Sequence, residues 1–357
     1  MNASPYAYAL VDMDAFYVSV ELQRRPELRG LPVVVAGSGP RAVVTTASYE
    51  ARRFGVYSAT PASRARRLCP DAVFIPPDFD HYRARSREVM QVLASQVERI
   101  EVMGLDEAYL DLSDIERPKA AARQIKAAVT AATSLGCSIG IGPSKLVAKV
   151  ASDADKPDGF LALTAQEARE RFADRSPGMI PGIGPKTVER LESRGIRTLG
   201  ELGQVSDTSL MEWFGDRLGP HLGRLARFDD DRTIETERLR KSESRETTFD
   251  YDLQGVEALE PPLRRLATEL CADLSRHGRG GRTIGIKVRL NDFSTHTRAR
   301  TLPTPTNDED TVRGVALSLL QALDPARPVR LLGVRVAGLD EASSEPATPD
   351  DQLRLAL

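Results

Sequence analysis

Two places where apolar runs meet carboxylates constrain this chain more than anything else in it. Tyr8–Met13 (YALVDM) carries Asp12 and is followed at once by Asp14, while residues 104–107 (GLDE) set Asp106 and Glu107 between two further apolar runs. Short apolar runs of this kind read as buried strands. An unpaired carboxylate inside one costs several kcal/mol, so each acid belongs at a strand end, within reach of water or of a cation. Taken singly, Asp12 and Asp14 read as solvated strand-end acids or as caps for the helix AFYVSV, and Asp106-Glu107 as an ordinary acidic hairpin tip. In one domain, however, adjacent strands could bring the clusters together. Like charges so placed need a metal.

The elements around them predict an α+β unit. Residues 31–37 and 42–48 are β-branched runs joined by a Ser-Gly-Pro turn, helices follow from Tyr49 and Pro61, and YRARSREVMQVLASQVERI is long and amphipathic. Strands at 99–103 and 108–112 would meet in a tip at 104–107. A helix near 119–133, the strand CSIGIG and the helix SKLVAKVASDA complete the unit. From about 170 the pattern changes to short helices broken by glycine turns, which predicts a helical domain over 170–228. The polar run 229–249 has almost no apolar anchors and suits an exposed tether, placed at 229–243. Beyond it, at 244–339, two helical stretches alternate with the strands RTIGIKVRL, STHTRARTL and RLLGVRVAGL, as a small sheet covered by two helices requires. Residues 340–357 read as a flexible acidic tail with an apolar tip.

Size and composition limit what such a chain can do. Its 357 residues allow two or three cores, and 41% hydrophobic with 28% charged residues excludes a disordered chain. The net charge of −2 means that any nucleic-acid surface must come from local segregation of charge. Three scattered cysteines, Cys69, Cys137 and Cys271, and four dispersed histidines argue against a disulfide framework or a zinc site. No stretch approaches the roughly 18 apolar residues of a membrane span, and the first residues lack the pattern of a signal peptide. The expectation is a cytoplasmic protein with no membrane partner.

Three carboxylates on neighbouring strands suit paired Mg²⁺ ions about 3.5–4 Å apart, the arrangement that stabilises in-line phosphoryl transfer. A nucleoside triphosphate would need further cations, for which Arg52 and Lys156 are candidates. In IPGIGPKTVERL, Gly182 and Gly184 with Lys186 form a hydrophobic-Gly-x-Gly turn between helices, whose backbone N–H groups can meet a DNA phosphate without reading sequence. Between residues 276 and 300 the bases include Lys287, Arg289, Arg298 and Arg300, against the single acid Asp292. Lys287 and Arg289 share a strand face by the period of two.

The motifs DMDAFYVSVE, ASYEARRFGV, GLDEAYLDL, DKPDG and IPGIGPKT, in this order and covering nearly the whole chain, resemble a Y-family DNA polymerase of the DinB (Pol IV) type. The resemblance implies an α+β multidomain fold: a palm with fingers (1–169, fingers about 18–78), a helical thumb with a helix-hairpin-helix, and a C-terminal α/β little finger. It implies low-fidelity, template-directed synthesis across lesions, with primer-template DNA and dNTPs as partners and the chain acting as a monomer. Asp12, Asp106 and Glu107, assisted by the Met13 carbonyl, would hold two Mg²⁺ ions. Tyr49, Arg52 and Lys156 would hold the triphosphate, with Phe16 and Thr46 completing the nucleotide site and Tyr17 as steric gate against a 2′-hydroxyl. Thr45 and Ala59 would lie over the nascent base pair. DNA contacts would fall to Gly182, Gly184, Lys186, Lys287, Arg289, Arg298 and Arg300. The tail residues Gln352, Leu353, Leu355 and Leu357 resemble a peptide that binds the bacterial sliding clamp. Gly104, Tyr57, Thr60 and Leu357 depart from the family pattern of serine, arginine, methionine and a terminal aromatic. The alternative is a non-catalytic DNA- and clamp-binding relative, which would be expected to have lost the carboxylates.

Overall fold

Tyr8–Met13 is buried along nearly its whole length because it has a strand on either side. It is the middle of a five-stranded sheet in the order Ile100–Val102, Glu107–Asp111, Tyr8–Met13, Cys137–Gly142, Phe160–Ala162. All pairs are antiparallel except the last, which is parallel. The computed structural model describes residues 5–237 and 239–339, so the clamp-like residues Gln352, Leu353, Leu355 and Leu357 lie outside it.

Side-chain alternation splits the central strand between two layers. Ala9, Val11 and Met13 join a core with Val89, Met90 and Leu93 of the Phe79–Gln96 helix and with Ile125 and Val129 of the Pro118–Thr133 helix. Leu10 faces the other way, onto Tyr109, Ala148 and Ile234. Asp12 follows Leu10 by two and so projects toward the Lys145–Ala154 helix. That helix starts on Ser144, whose hydroxyl accepts from the Val147 N–H. It lies directly on the sheet, because a Cβ at Gly140 would stand 2.0 Å from the Ala148 carbonyl oxygen and 2.1 Å from the Ser152 nitrogen.

A three-stranded sheet, Val44–Ala47, Val33–Ala36, Val73–Ile75, carries its own small core with the helices Tyr49–Arg52 and Ala62–Leu68. Five helices between Ala165 and Ala226 enclose a third core around Leu191, Leu199, Leu202, Leu210 and Leu222. The last unit is a four-stranded antiparallel sheet, Thr295–Thr306, Gly281–Leu290, Val329–Leu339, Ser242–Leu253. The helices Val256–Arg276 and Glu309–Leu323 share its core through Leu259, Leu263, Leu270 and Val312.

Four expectations are corrected. Glu107 is the first residue of a strand rather than part of the tip, since it pairs directly with Asp12. Asp14 does not cap the following helix: the Phe16–Arg24 helix has Ala15 at its N-cap, in a left-handed conformation, and no side-chain cap. The end of the polar run 229–249 is strand, Ser242–Leu253, an edge strand whose alternating charged and hydroxyl residues are mostly exposed and so look like linker in sequence. The rest is no free tether. Ile234 is buried, Asp230 accepts from the Leu146 N–H, and Glu101 accepts from the Glu235 N–H.

Candidate active site

The register of the palm-like sheet brings the acids together. Asp12 stands opposite Glu107, and the Met13 N–H donates to the Asp106 carbonyl at 2.8 Å, which ties the two chain segments at the strand end. Asp12, Met13, Phe16, Thr46, Tyr49, Arg52, Asp106, Glu107 and Lys156 all line one open cavity of about 320 Å³, with Ala15, Ser58 and Lys149. A larger depression of about 570 Å³ lies in the helical region around Arg217, Pro220 and His221 and holds none of these acids. The Met13 side chain is buried in the core, so the cavity meets mainly its backbone.

The charges are unequally compensated. Lys149 Nζ donates to Asp12 Oδ2 at 2.9 Å and to Glu107 Oε2 at 2.7 Å, and Lys156 Nζ lies 2.7 Å from Asp12 Oδ2. Burial is the largest single influence on both ammonium groups and works against them, but the neighbouring carboxylates together outweigh it, Asp12, Glu107 and Asp153 at Lys149 and Asp12 with Asp153 at Lys156, and both pKa values are raised above the ordinary lysine range. Among the described residues no cation lies within ion-pair distance of the Asp106 carboxylate. Burial first, then Asp12 and Glu107, push that carboxyl up to about 6. Three hard oxygen donors facing a shortage of positive charge are what a divalent cation satisfies. With two of them turned to lysines, no group of three acid, histidine or cysteine side chains among the described residues is gathered for a metal.

Asp14, two residues on, is a structural hub. Its carboxylate accepts from Tyr49 Oη at 3.2 Å, Ser138 Oγ at 2.9 Å and the Asp158 N–H at 2.8 Å. Burial, then the Asp14 charge, raises the Tyr49 phenol pKa. The Arg52 guanidinium sits 4.5 Å over the Tyr49 ring and its Nε donates to the Ala47 carbonyl at 3.0 Å. It is thereby aimed into the cavity.

Tyr17 is not among the residues that line the cavity. It is half-buried beside it, stacked on Tyr82 at 4.6 Å and 25°. Burial, then Asp106, pushes its phenol up to about 12. Thr45 and Ala59 do not line the cavity but stand next to Thr46 and Ser58, which do; Ser58 Oγ donates to the Thr45 carbonyl at 2.9 Å and the Ala59 N–H to the Val44 carbonyl.

The remaining candidates lie elsewhere. Gly182, at φ +95°, and Gly184 form the turn that starts the Pro185–Glu192 helix, with exposed Lys186 at its second position. Lys287 pairs with Glu246 at 2.8 Å and Arg289 donates to Thr295 Oγ1. The register puts Lys287 and Arg289 opposite Thr297 and Thr295, but Arg298 and Arg300 opposite Ile286 and Ile284, which face the helices. The four bases therefore project from two faces of the sheet.

Lys149 is the residue that sequence reasoning missed. Its signal was available: Lys145 and Lys149, four apart, interrupt a helix otherwise buried through Leu146, Val147, Ala148, Val150 and Ala151. Lysines on a buried face need acids opposite.

Comparison with known proteins bears on this arrangement. A family model described as "impB/mucB/samB family" matches residues 11–153, its C-terminal domain matches 240–353, and "DNA polymerase-iota, thumb domain" matches 178–230. A DNA polymerase IV of Methanoculleus marisnigri is 42% identical over 348 residues, 96% of each chain. One of Alkalilimnicola ehrlichii is 43% identical over 353 residues, 97% of this chain and 98% of that one. Among solved structures, a Y-family DNA polymerase chimera, Dbh-Dpo4(243-245)-Dbh, matches with TM-score 0.84 and 28% identity over 94% of this chain and 99% of its own. An insertion ternary complex of Dbh DNA polymerase matches over the same shares with TM-score 0.65 and 27% identity. No helix among the described residues is long and apolar enough to cross a membrane. With a family model on the segment that carries Asp12, Asp106 and Glu107, another on the helical domain and relatives above 40% identity end to end, the chain belongs to the impB/mucB/samB family, the Y-family of DNA-directed DNA polymerases.

Proposed function

We propose that this polymerase copies damaged template at low fidelity, adding dNTPs to a primer 3′-hydroxyl in a reaction supported by two Mg²⁺ ions at Asp12, Asp106 and Glu107. One observation carries the reading: those three acids share a single cavity with Tyr49, Arg52 and Lys156. When bound, the ions would polarise the 3′-hydroxyl and neutralise the leaving pyrophosphate. The chain's own groups do the rest. Arg52 and Lys156 receive the triphosphate, with Tyr49 behind Arg52. Tyr17 closes the sugar side against a 2′-hydroxyl, with Phe16 packed beside it. Gly182, Gly184 and Lys186 meet the DNA backbone through N–H groups and one charge. Lys287 and Arg289 track it from the open sheet face, and Arg298 and Arg300 serve a strand passing the sheet edge.

The reading includes a monomer working in the cytoplasm and recruited to the sliding clamp through Gln352, Leu353, Leu355 and Leu357. A non-catalytic accessory is disfavoured by the retained acids. Primer extension on damaged template decides between them: wild type extends, Asp106→Ala does not, and equal extension by both sinks the assignment. Tyr17→Ala should raise ribonucleotide incorporation; unchanged sugar selectivity removes Tyr17 as gate. Deleting the last six residues should abolish stimulation by the clamp and leave extension without it intact.

A further inference from the structure

Lys149 is built into the site in a way that triphosphate binding does not explain. Its helix is locked on the sheet by the close approach at Gly140 and by burial of Leu146, Val147, Val150 and Ala151. Ser152 Oγ donates to the Lys149 carbonyl at 2.8 Å and holds the turn that carries it. From there the side chain, one-fifth exposed, has its ammonium between Asp12 and Glu107, the two acids that the sheet register puts face to face. Holding a long, flexible side chain in such a place costs side-chain entropy and desolvation. Something must offset that cost.

We propose that Lys149 is a resident counter-cation: it holds Asp12 and Glu107 together before metal arrives, and gives up both carboxylates when a divalent ion loads. The ammonium occupies the space between two carboxylates where an ion bound to both would sit, so lysine and metal cannot be served by the same oxygens at once. Divalent affinity is then set by a competition inside the chain, and the metal-free site stays assembled without it. The inference rests on the proposed role of Asp12, Asp106 and Glu107 as metal ligands.

The test uses the full-length chain stripped with chelator and titrated with Mn²⁺ alone, free ion being read by electron paramagnetic resonance. Lys149→Met should bind Mn²⁺ roughly tenfold more tightly or better, while its metal-free thermal midpoint falls and saturating Mn²⁺ recovers much of the loss. Lys149→Arg, which keeps the charge, should stay near wild type in both. A general structural defect would weaken metal binding, the opposite sign. An affinity that is unchanged or weaker in Lys149→Met, or a metal-free midpoint that is unchanged or higher, overturns the proposal. Should that variant not fold, Lys149→Gln, which keeps a donor without the charge, decides by the same criteria. Asp106→Asn separates the two layers of the argument. If it binds Mn²⁺ as well as wild type, the metal-site reading falls and takes the inference with it. If binding needs Asp106 and Lys149→Met leaves it unchanged, the inference alone falls.

Discussion

Asp12 and Asp14 sit two residues apart in one motif, and the geometry gives them opposite work. Asp12 faces the cavity and two lysines. Asp14 is as buried, but is enclosed by donors: Tyr49 Oη, Ser138 Oγ and the Asp158 N–H. Hydrogen bonds to a charged group contribute about 1.5–3 kcal/mol each. Sharing one carboxylate, they do not add fully, and Asp14→Ala should cost about 3–5 kcal/mol, the range for removing one partner of a buried charged cluster. Asp14→Asn keeps the volume but turns an amide N–H₂ toward at least one donor, so its cost should be nearer 2 kcal/mol.

Urea denaturation in chelator reads this as a fall in midpoint with unchanged slope, larger for Ala than for Asn. The functional side of the same experiment is Mn²⁺ affinity. Asp14→Asn should leave it within about twofold of wild type, since the carboxylate's oxygens are already committed to protein donors, whereas Asp12→Asn should largely abolish it. Loss of Mn²⁺ binding in Asp14→Asn with an unmoved urea midpoint would refute the division of labour.

Three further outcomes follow from the packing and charge of the same domains. Gly140→Ala sets a Cβ 2.0 Å from the Ala148 carbonyl oxygen, where only backbone could yield; a loss of about 3 kcal/mol or more is expected by thermal melting, and a wild-type midpoint would contradict the close helix–sheet contact. Folded Asp106 keeps its proton to about pH 6 and an unfolded aspartate only to about 4. The folded state therefore holds the extra proton between those values, and metal-free stability should fall by up to roughly 3 kcal/mol as pH rises through that window; Asp106→Asn should lack this component, and parallel profiles would remove it. Finally, all three cysteines are buried, and burial pushes the Cys137 thiol up to about 12 and the Cys271 thiol up to about 11; an aromatic disulfide reagent at mildly alkaline pH should label none in the native chain and three in denaturant, so rapid native labelling would count against the packing.

What could be read from sequence followed periodicity and motif; what could not depended on tertiary pairing. Tyr8–Met13 and CSIGIG were legible because an uninterrupted apolar run bounded by turns has few other uses. Val73–Ile75 and Phe160–Ala162 were not, since three residues cannot display a period. Ser242–Leu253 was hidden by its place at a sheet edge, where strand and linker have the same polar composition. The motif DMD names two acids without saying which faces the cavity. That is decided where the strand ends: Asp14 lies just past Met13, and its carboxylate is taken up by Ser138 Oγ and the Asp158 N–H. Likewise four bases on two strands looked like one surface until the register sent Arg298 and Arg300 to the face opposite Lys287 and Arg289.

The Lys145–Ala154 helix explains why the missed residue and the mistaken tether belong to one physical problem. Its two lysines are one turn apart, and each meets acids of the palm sheet: Lys145 the buried Glu101, Lys149 the pair Asp12 and Glu107. Glu101 and Glu107 sit on the two strands of one hairpin. Lys145 also donates to the Thr233 carbonyl, and Glu101 accepts from the Glu235 N–H, so the same ion pair that seats the helix on the sheet also seats the segment leading to the last domain. A buried pair loses about 3–5 kcal/mol when one partner is removed, and here that loss would fall on the helix that carries Lys149. The segment leading to the C-terminal domain and the charge balance of the three acids thus share one rigid element. Pulling residues 230–235 off the palm would therefore strip hydrogen bonds from both members of the Lys145–Glu101 pair and from the first turn of the helix that carries Lys149.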